Sequence, residues 1–121
     1  MSNVNQALDS LMKIDGAMAA AIVDTESGMS LGDVGGSANL NLDVAAAGNS
    51  EVVKSKLKVM NNLGIKGYIH DILITLDDQY HLIRPLSTNK SLFIYLVLNK
   101  ATSNLAMSRH KLSSIEKELE I

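Results

Sequence analysis

The sequence predicts an α/β/α sandwich, in which a five-stranded antiparallel sheet carries one long helix on one face and two terminal helices on the other. Two short runs, 17–24 and 92–98, are apolar except for the terminal Asp24 of the first, as expected for central strands buried on both faces. Helical periodicity is confined to the two ends of the chain and to residues 41–63. Turn residues separate the remaining short segments, which is typical of strands joined by tight connections.

The chain begins with a short amphipathic helix followed by a β-hairpin. Gly16 stands where a C-terminal helix cap belongs, and the first strand, 17–24, ends at the turn 25–28. Met29 and Leu31 alternate with polar or small residues, which predicts a half-buried return strand. The apolar positions of the first helix, at 3–4-residue spacing, are Val4, Ala7, Leu8, Leu11 and Met12.

A meander and a last helix complete the predicted fold. Residues 68–76 read as the third strand, 79–86 as the fourth and 92–98 as the fifth, and residues 102–120 carry one apolar stripe at helical spacing. Placing the two fully apolar strands at the centre gives the strand order 2-1-5-4-3. The third strand then lies at an edge, where a long apolar strand promotes association unless something covers it.

The long helix, 41–63, has two apolar stripes, whereas an ordinary surface helix needs one. We expect the first stripe to face the sheet: Leu42, Ala46, Val53, Leu57 and Met60. The second stripe needs another partner, unless the helix is buried deeply in its own domain. A second copy of the chain would cover both this stripe and the exposed edge strand. The predicted dimer interface therefore comprises Ala45, Gly48, Val52, Lys56, Val59, Leu63, Ile72 and Ile74.

A polar arc of the long helix remains when both stripes are assigned. It is available to a third molecule without disturbing the fold or the dimer. Two of its lysines form a positive cluster with Lys56 of the second stripe, and this cluster is interpreted either as a docking surface for an acidic partner or as a solvated face balanced by Glu51. The residues of the arc are Asp43, Ala47, Ser50, Glu51, Lys54, Lys58 and Asn61.

Composition narrows the function classes. The 121 residues are expected to form a single domain, 1–121, and the formal net charge of −2 argues against general nucleic-acid binding. No apolar run is long enough for direct membrane insertion, and no cysteine is present. Because the first residues lack the pattern of a signal peptide, we expect a cytoplasmic protein.

The sequence predicts no catalytic, cofactor or metal site. Gly32, Gly35 and Gly36 lack the Gly-Lys-Ser/Thr sequence of a phosphate-binding loop. The three histidines lie on separate predicted elements, and the one nearby ligand, Asp71 beside His70, would point to the opposite face of the strand. Arg84 and Arg109 are the two arginines, and neither lies where an arginine finger is expected. We therefore expect a non-enzymatic protein.

Several segments resemble, in order, the bacterial branch of the Roadblock/LC7 family, which has a profilin-like or longin-like fold. They are GAMAAAIVDTESG, DVAAAGNSEVVKSKL, IHDILITLDDQYHLIRPL, and SLFIYLVLNK with SNLAMSRHKL. The resemblance implies a homodimer in which the central helices lie side by side and the third strands pair. It also implies binding of a small Ras-like GTPase, whose GTP hydrolysis some family members accelerate. The alternatives are a dimeric scaffold with no GTPase partner and a small-molecule sensing domain.

Overall fold

The computed structural model describes residues 3–121. In chain order the elements are α1 (Val4–Met12), β1 (Ala17–Asp24), β2 (Ser30–Gly35), α2 (Leu42–Asn62), β3 (Ile72–Thr75), β4 (Gln79–Pro85), β5 (Leu92–Asn99) and α3 (Leu105–Glu118). The strands form one antiparallel sheet in the order β2-β1-β5-β4-β3. One apolar core lies between the sheet and α1 with α3, and a second lies between the sheet and α2. The predicted fold class and strand order are confirmed.

The centre of the sheet is built from β1 and β5, whose inner residues are fully buried. Three consecutive alanines of β1 lie at this centre. Ala19 and Ala21 pack in the α2 core, and Ala20 packs in the opposite one. Ala21 pairs with Tyr95 of β5, so a small side chain lies beside a large one under the helix. These small residues let the helices approach the sheet closely.

The return strand β2 buries the face opposite to the one predicted. Gly32 and Val34 lie on the α1 side, and a β-carbon at Gly32 would lie only 2.9 Å from Val4 Cγ1. Met29 is 68% exposed and Leu31 is 47% exposed, so the prediction that they supply the buried side is wrong. The close approach of α1, which requires a glycine, decides which face of β2 is covered.

Two elements are shorter than predicted, and a polar side chain with a hydrogen-bond partner lies just before each of them. β3 covers only Ile72–Thr75, and Asp71 just before it is bound by Arg109 of α3 through two hydrogen bonds of 2.7 and 3.0 Å. α3 begins at Leu105, where Asn104 caps the helix by accepting a hydrogen bond from the Met107 N–H. The edge strand therefore offers four residues for pairing.

A buried ion pair attaches α3 to the end of β4. Glu116 is 1% exposed, and its carboxylate accepts hydrogen bonds from Arg84 Nε at 3.0 Å and from Ser87 Oγ at 2.9 Å. Burial by itself would raise the pKa of Glu116. The hydrogen bonds from Ser87 and the Arg84 guanidinium outweigh that effect, and the pKa lies below its ordinary value. The ionised carboxylate therefore stabilises the folded state.

We predict that Glu116→Gln lowers the free energy of unfolding by about 3–5 kcal/mol at neutral pH, because Arg84 loses its buried partner. The folded-state pKa of Glu116 is depressed, so its contribution is complete above the unfolded-state pKa of about 4.3 and is lost as the pH falls through the lower folded-state value. Urea unfolding of both proteins at several pH values measures this. The stability difference should narrow in acid.

The matched control is Glu118→Gln, which changes an exposed carboxylate of the same helix. It should alter the free energy of unfolding by less than about 0.5 kcal/mol. A wild-type advantage over Glu116→Gln that stays constant down to about pH 3 would contradict the role of the ionised carboxylate.

Candidate protein-binding site on the central helix

The helix α2 begins at a strong cap. Asn41 Oδ1 accepts hydrogen bonds from the backbone N–H groups of Asp43 at 3.0 Å and Val44 at 3.2 Å. Asp43 lies in the first turn, where a negative charge interacts favourably with the helix dipole. The cap fixes where the helix starts, and therefore which residues face the sheet.

The stripe of α2 that faces the sheet ends earlier than predicted. Its buried residues are Leu42, Ala46, Ser50 and Val53. Beyond Val53 the helix passes the turn between β1 and β2, where Lys54 Nζ lies 3.3 Å from the carbonyl oxygen of Glu26. Leu57 is 45% exposed and Met60 is only half-buried. The prediction that Leu57 packs against the sheet is wrong, because the helix has already reached the end of the sheet at that point.

Ser50 also differs from its prediction. It is 1% exposed, and its hydroxyl donates a hydrogen bond of 2.8 Å to the carbonyl oxygen of Ala46. Because residues 46, 50 and 53 share one side of a helix, Ser50 continues the buried stripe, and its hydroxyl is satisfied within the helix. Its assignment to the GTPase-binding polar arc is wrong.

The other residues of the polar arc all lie exposed on α2: Asp43, Ala47, Glu51, Lys54, Lys58 and Asn61. Glu51 and Lys54 form a surface ion pair of 3.6 Å, and pairs of this kind contribute little to stability. Both side chains can therefore be recruited by another molecule at small cost to the fold.

The second apolar stripe of α2 is left uncovered by the chain's own fold. Val52 is 37% exposed, Val59 is 45% exposed and Leu63 is 66% exposed. Gly48 and Lys56 are exposed too, and Ala45 is half-buried. A β-carbon at Gly48 would meet nothing within 4 Å. Burial of both stripes within one chain, the alternative explanation of the pattern, does not occur.

The second stripe borders a cleft of about 420 Å³ between α2 and the β4 side of the sheet. Ala45, Gly48 and Asn49 line it from the helix, and His81 and Tyr95 line it from the sheet. Ile72 and Ile74 of β3 are half-buried, and β3 forms the free edge of the sheet. The second stripe, the cleft and the edge strand therefore all lie on the face of the sheet that carries α2, toward β4 and β3.

A hydrogen-bond chain crosses the floor of the cleft. His81 Nε2 donates to Gln79 Oε1 at 2.8 Å, and His81 Nδ1 accepts from the Tyr95 hydroxyl at 2.9 Å. Burial lowers the pKa of His81, which favours the neutral ring that this arrangement requires. Burial raises the pKa of Tyr95, and a hydrogen bond with Asn49 opposes the rise. The chain links β4, β5 and α2, and its polar groups satisfy one another.

The two arginines are engaged in ion pairs, Arg84 with Glu116 and Arg109 with Asp71.

Among residues 3–121, no three histidine, aspartate or glutamate side chains are placed to share a metal ion. None of the helices in that range has both the length and the apolar character required to cross a bilayer.

A sheet ordered 2-1-5-4-3 between one long helix and two terminal helices defines the Roadblock/LC7 fold, and this chain has that fold. It is similar to Myxococcus xanthus MglB, with a TM-score of 0.83, 15% identity, and coverage of 95% of this chain and 83% of that chain. A Roadblock/LC7 domain from Streptomyces avermitilis gives a TM-score of 0.81, 13% identity, and coverage of 96% and 93%.

A third similar structure is described as MglB with a tetrameric arrangement, with a TM-score of 0.68, 14% identity, and coverage of 95% and 88%. No protein-family model matches the sequence. No curated protein matches it either. The likeness to these solved structures is therefore a likeness of fold.

We predict that Val53→Ala lowers the free energy of unfolding by about 2 kcal/mol, because it removes a side chain that is 2% exposed. Leu57→Ala should cost less than about 0.5 kcal/mol, since its side chain lies beyond the sheet. Urea unfolding of the two variants at one protein concentration compares them. A cost for Leu57→Ala as large as that for Val53→Ala would contradict the early end of the buried stripe.

Proposed function

We propose that this protein is a homodimeric, non-enzymatic regulator or scaffold of the Roadblock/LC7 type that binds a small Ras-like GTPase. The observation that supports this proposal is the division of α2 into three sides. One side packs on the sheet, one apolar side is uncovered beside the cleft, and one polar side is free. The similarity to MglB and to a Roadblock/LC7 domain supports it as well.

The uncovered apolar side of α2 is the surface for a second copy. In a twofold dimer the same patch contacts itself, so one exposed stripe serves both chains. Gly48 and Ala45 let two helix backbones approach closely, while Val52, Val59 and Leu63 supply the apolar area. The MglB structure with a tetrameric arrangement supports self-association of this fold.

Pairing of β3 with its counterpart would join two sheets into one. β3 has only four residues, so this pairing contributes few backbone hydrogen bonds. The helix seam must therefore bury most of the apolar surface of the dimer. Ile72 and Ile74 then lie where the second copy meets the cleft.

We predict that the purified protein sediments at twice its chain mass of 13.0 kDa at micromolar concentration. Val52→Glu should convert it to a monomer, because an unpaired charge buried in the seam costs about 3–5 kcal/mol. Sedimentation velocity measures both species.

The matched control for the seam is Met107→Glu, which places the same charge on an exposed methionine of α3. This variant should remain dimeric. A wild-type monomer, or a dimer that survives Val52→Glu, would refute the seam on this side of α2.

The polar arc is the surface we assign to the GTPase, now without Ser50. Its members are Asp43, Ala47, Glu51, Lys54, Lys58 and Asn61. Two arcs lie near each other when two α2 helices pair, which forms a wider platform than one chain offers. Arg84 and Arg109 are held by carboxylates, so any stimulation of GTP hydrolysis would come from repositioning the GTPase's own residues.

The cleft makes small-molecule sensing the second candidate function. Its volume of about 420 Å³ lies within the range of ligand sites. However, the Tyr95 hydroxyl and both ring nitrogens of His81 are already hydrogen-bonded. Few polar groups remain to fix a ligand, which favours the cleft as part of the protein interface.

We predict that Lys54→Glu combined with Lys58→Glu weakens capture of the GTPase while leaving the dimer and the melting temperature unchanged. Reversing charges at the rim of an interface lowers the association rate, and more so at low salt. The measurement is a pull-down from native lysate loaded with GDP or a non-hydrolysable GTP analogue, with captured proteins identified by mass spectrometry.

The control variant, Lys111→Glu with Lys117→Glu, makes the same charge change on α3 and should capture normally. Capture should depend on the nucleotide, since a regulator acts through its different affinities for the two states. If no Ras-like GTPase is captured by the wild-type dimer, the scaffold without a GTPase partner becomes the better explanation.

A further inference from the structure

Residues 54–68 are largely exposed although they include six large apolar side chains. Every residue of this segment is exposed except Met60, which is half-buried. The exposed fractions run from 45% to 70%, for Leu57, Val59, Leu63, Ile65 and Tyr68. The proposed dimer seam accounts for Val59 and Leu63. Leu57, Ile65 and Tyr68 remain without a partner surface.

The same segment is strongly basic, although the whole chain has a net charge of −2. No acidic residue occurs from 52 to 70, and four lysines do: Lys54, Lys56, Lys58 and Lys66. Lys90, from the loop between β4 and β5, joins them, because its Nζ lies 3.8 Å from the centre of the Tyr68 ring. We call residues 54–68 together with Lys90 the basic end.

The positive charge of the basic end is largely uncompensated. Within the described chain, residues 3–121, Lys54 is the one of these five lysines that forms an ion pair, with Glu51. The next acidic residue after the segment is Asp71, whose carboxylate is bound by Arg109. Lys66 and Lys90 belong neither to the proposed seam nor to the polar arc, so at least these two ammonium groups are available to an anionic partner.

The shape of the basic end indicates what kind of partner fits. α2 continues past the sheet here, and the chain turns back through Gly64 and Gly67, which have φ values of 70° and 114°. A β-carbon at either glycine would meet nothing within 4 Å, so this turn projects into open solvent. The mixture of lysines with aliphatic and aromatic side chains is that of peripheral membrane-binding surfaces, in which cations contact anionic headgroups and apolar groups enter the interface.

We propose that the basic end binds the anionic headgroup surface of a lipid bilayer as a peripheral contact. Ile65 and Tyr68 lie at the boundary between headgroups and acyl chains, and the lysines contact the anionic headgroups. This contact needs no membrane-spanning helix and neither the dimer nor the GTPase of the proposed function. Each lysine near such a surface strengthens binding about fivefold.

Flotation of the purified protein with lipid vesicles tests this proposal. The wild type should float with phosphatidylcholine vesicles that contain about 30% phosphatidylglycerol and not with phosphatidylcholine alone, and added salt should release it. Lys66→Glu with Lys90→Glu should weaken binding by about 25-fold or more. Lys111→Glu with Lys117→Glu, the matched charge change on α3, should bind like the wild type.

A second pair of variants tests the apolar contribution. Ile65→Ser with Tyr68→Ser should weaken vesicle binding about tenfold while the salt dependence stays. Circular dichroism melting confirms that each variant is folded. The proposal is overturned if the wild type does not float with anionic vesicles, if the α3 control loses as much binding as the Lys66/Lys90 variant, or if an acidic protein or a nucleic acid is bound while vesicles are not.

Discussion

The long helix outreaches the sheet on which it lies. The buried stripe of α2 runs from Leu42 to Val53, and the nine helical residues that follow Val53 span about 14 Å. The helix can bury one stripe only as far as Val53, and the rest of its length projects. Both proposed contacts of this protein, the seam with a second copy and the basic end, use helix surface that the chain's own sheet cannot cover.

The division of α2 into sides also keeps its roles separate. Substitutions on the polar arc leave the buried stripe untouched, and the cleft with its Tyr95–His81 hydrogen bond lies on another side of the helix. In the proposed assembly, stability, self-association and partner choice can therefore change independently. The folded chain is held together elsewhere, by the two cores and by the buried Glu116–Arg84 pair.

The central architecture could be predicted from the sequence because short local patterns of apolar residues determine it. A strand buried on both faces must be apolar at every position, so β1 and β5 are visible as continuous runs, and their placement determines the strand order. Periodicity also located the two stripes of α2. It could not show where the sheet beneath the helix ends, and so it misplaced Leu57.

The other differences come from contacts between residues distant in sequence. Arg109 binds Asp71 across 38 positions just before β3 begins, and α1 packs so closely on β2 that Gly32 faces it. Ser50 looked exposed because serine is usually polar surface, yet a hydrogen bond to Ala46 lets it lie on the buried stripe. The hydrogen-bonded chain of Gln79, His81 and Tyr95 has a weak sequence signal, which is that Gln79 and His81 are two polar residues at the spacing that places them on one face of a strand.

The alanines of β1 determine how far α2 stands above the sheet. Ala19 and Ala21 are fully buried beneath the helix, so each offers a single methyl group as the spacer. A valine or leucine at either position would lift or tilt the helix, and the cleft, the seam and the polar arc would move with it. The height of the surface that we propose for recognition is therefore determined by residues that lie beneath the helix and are fully buried.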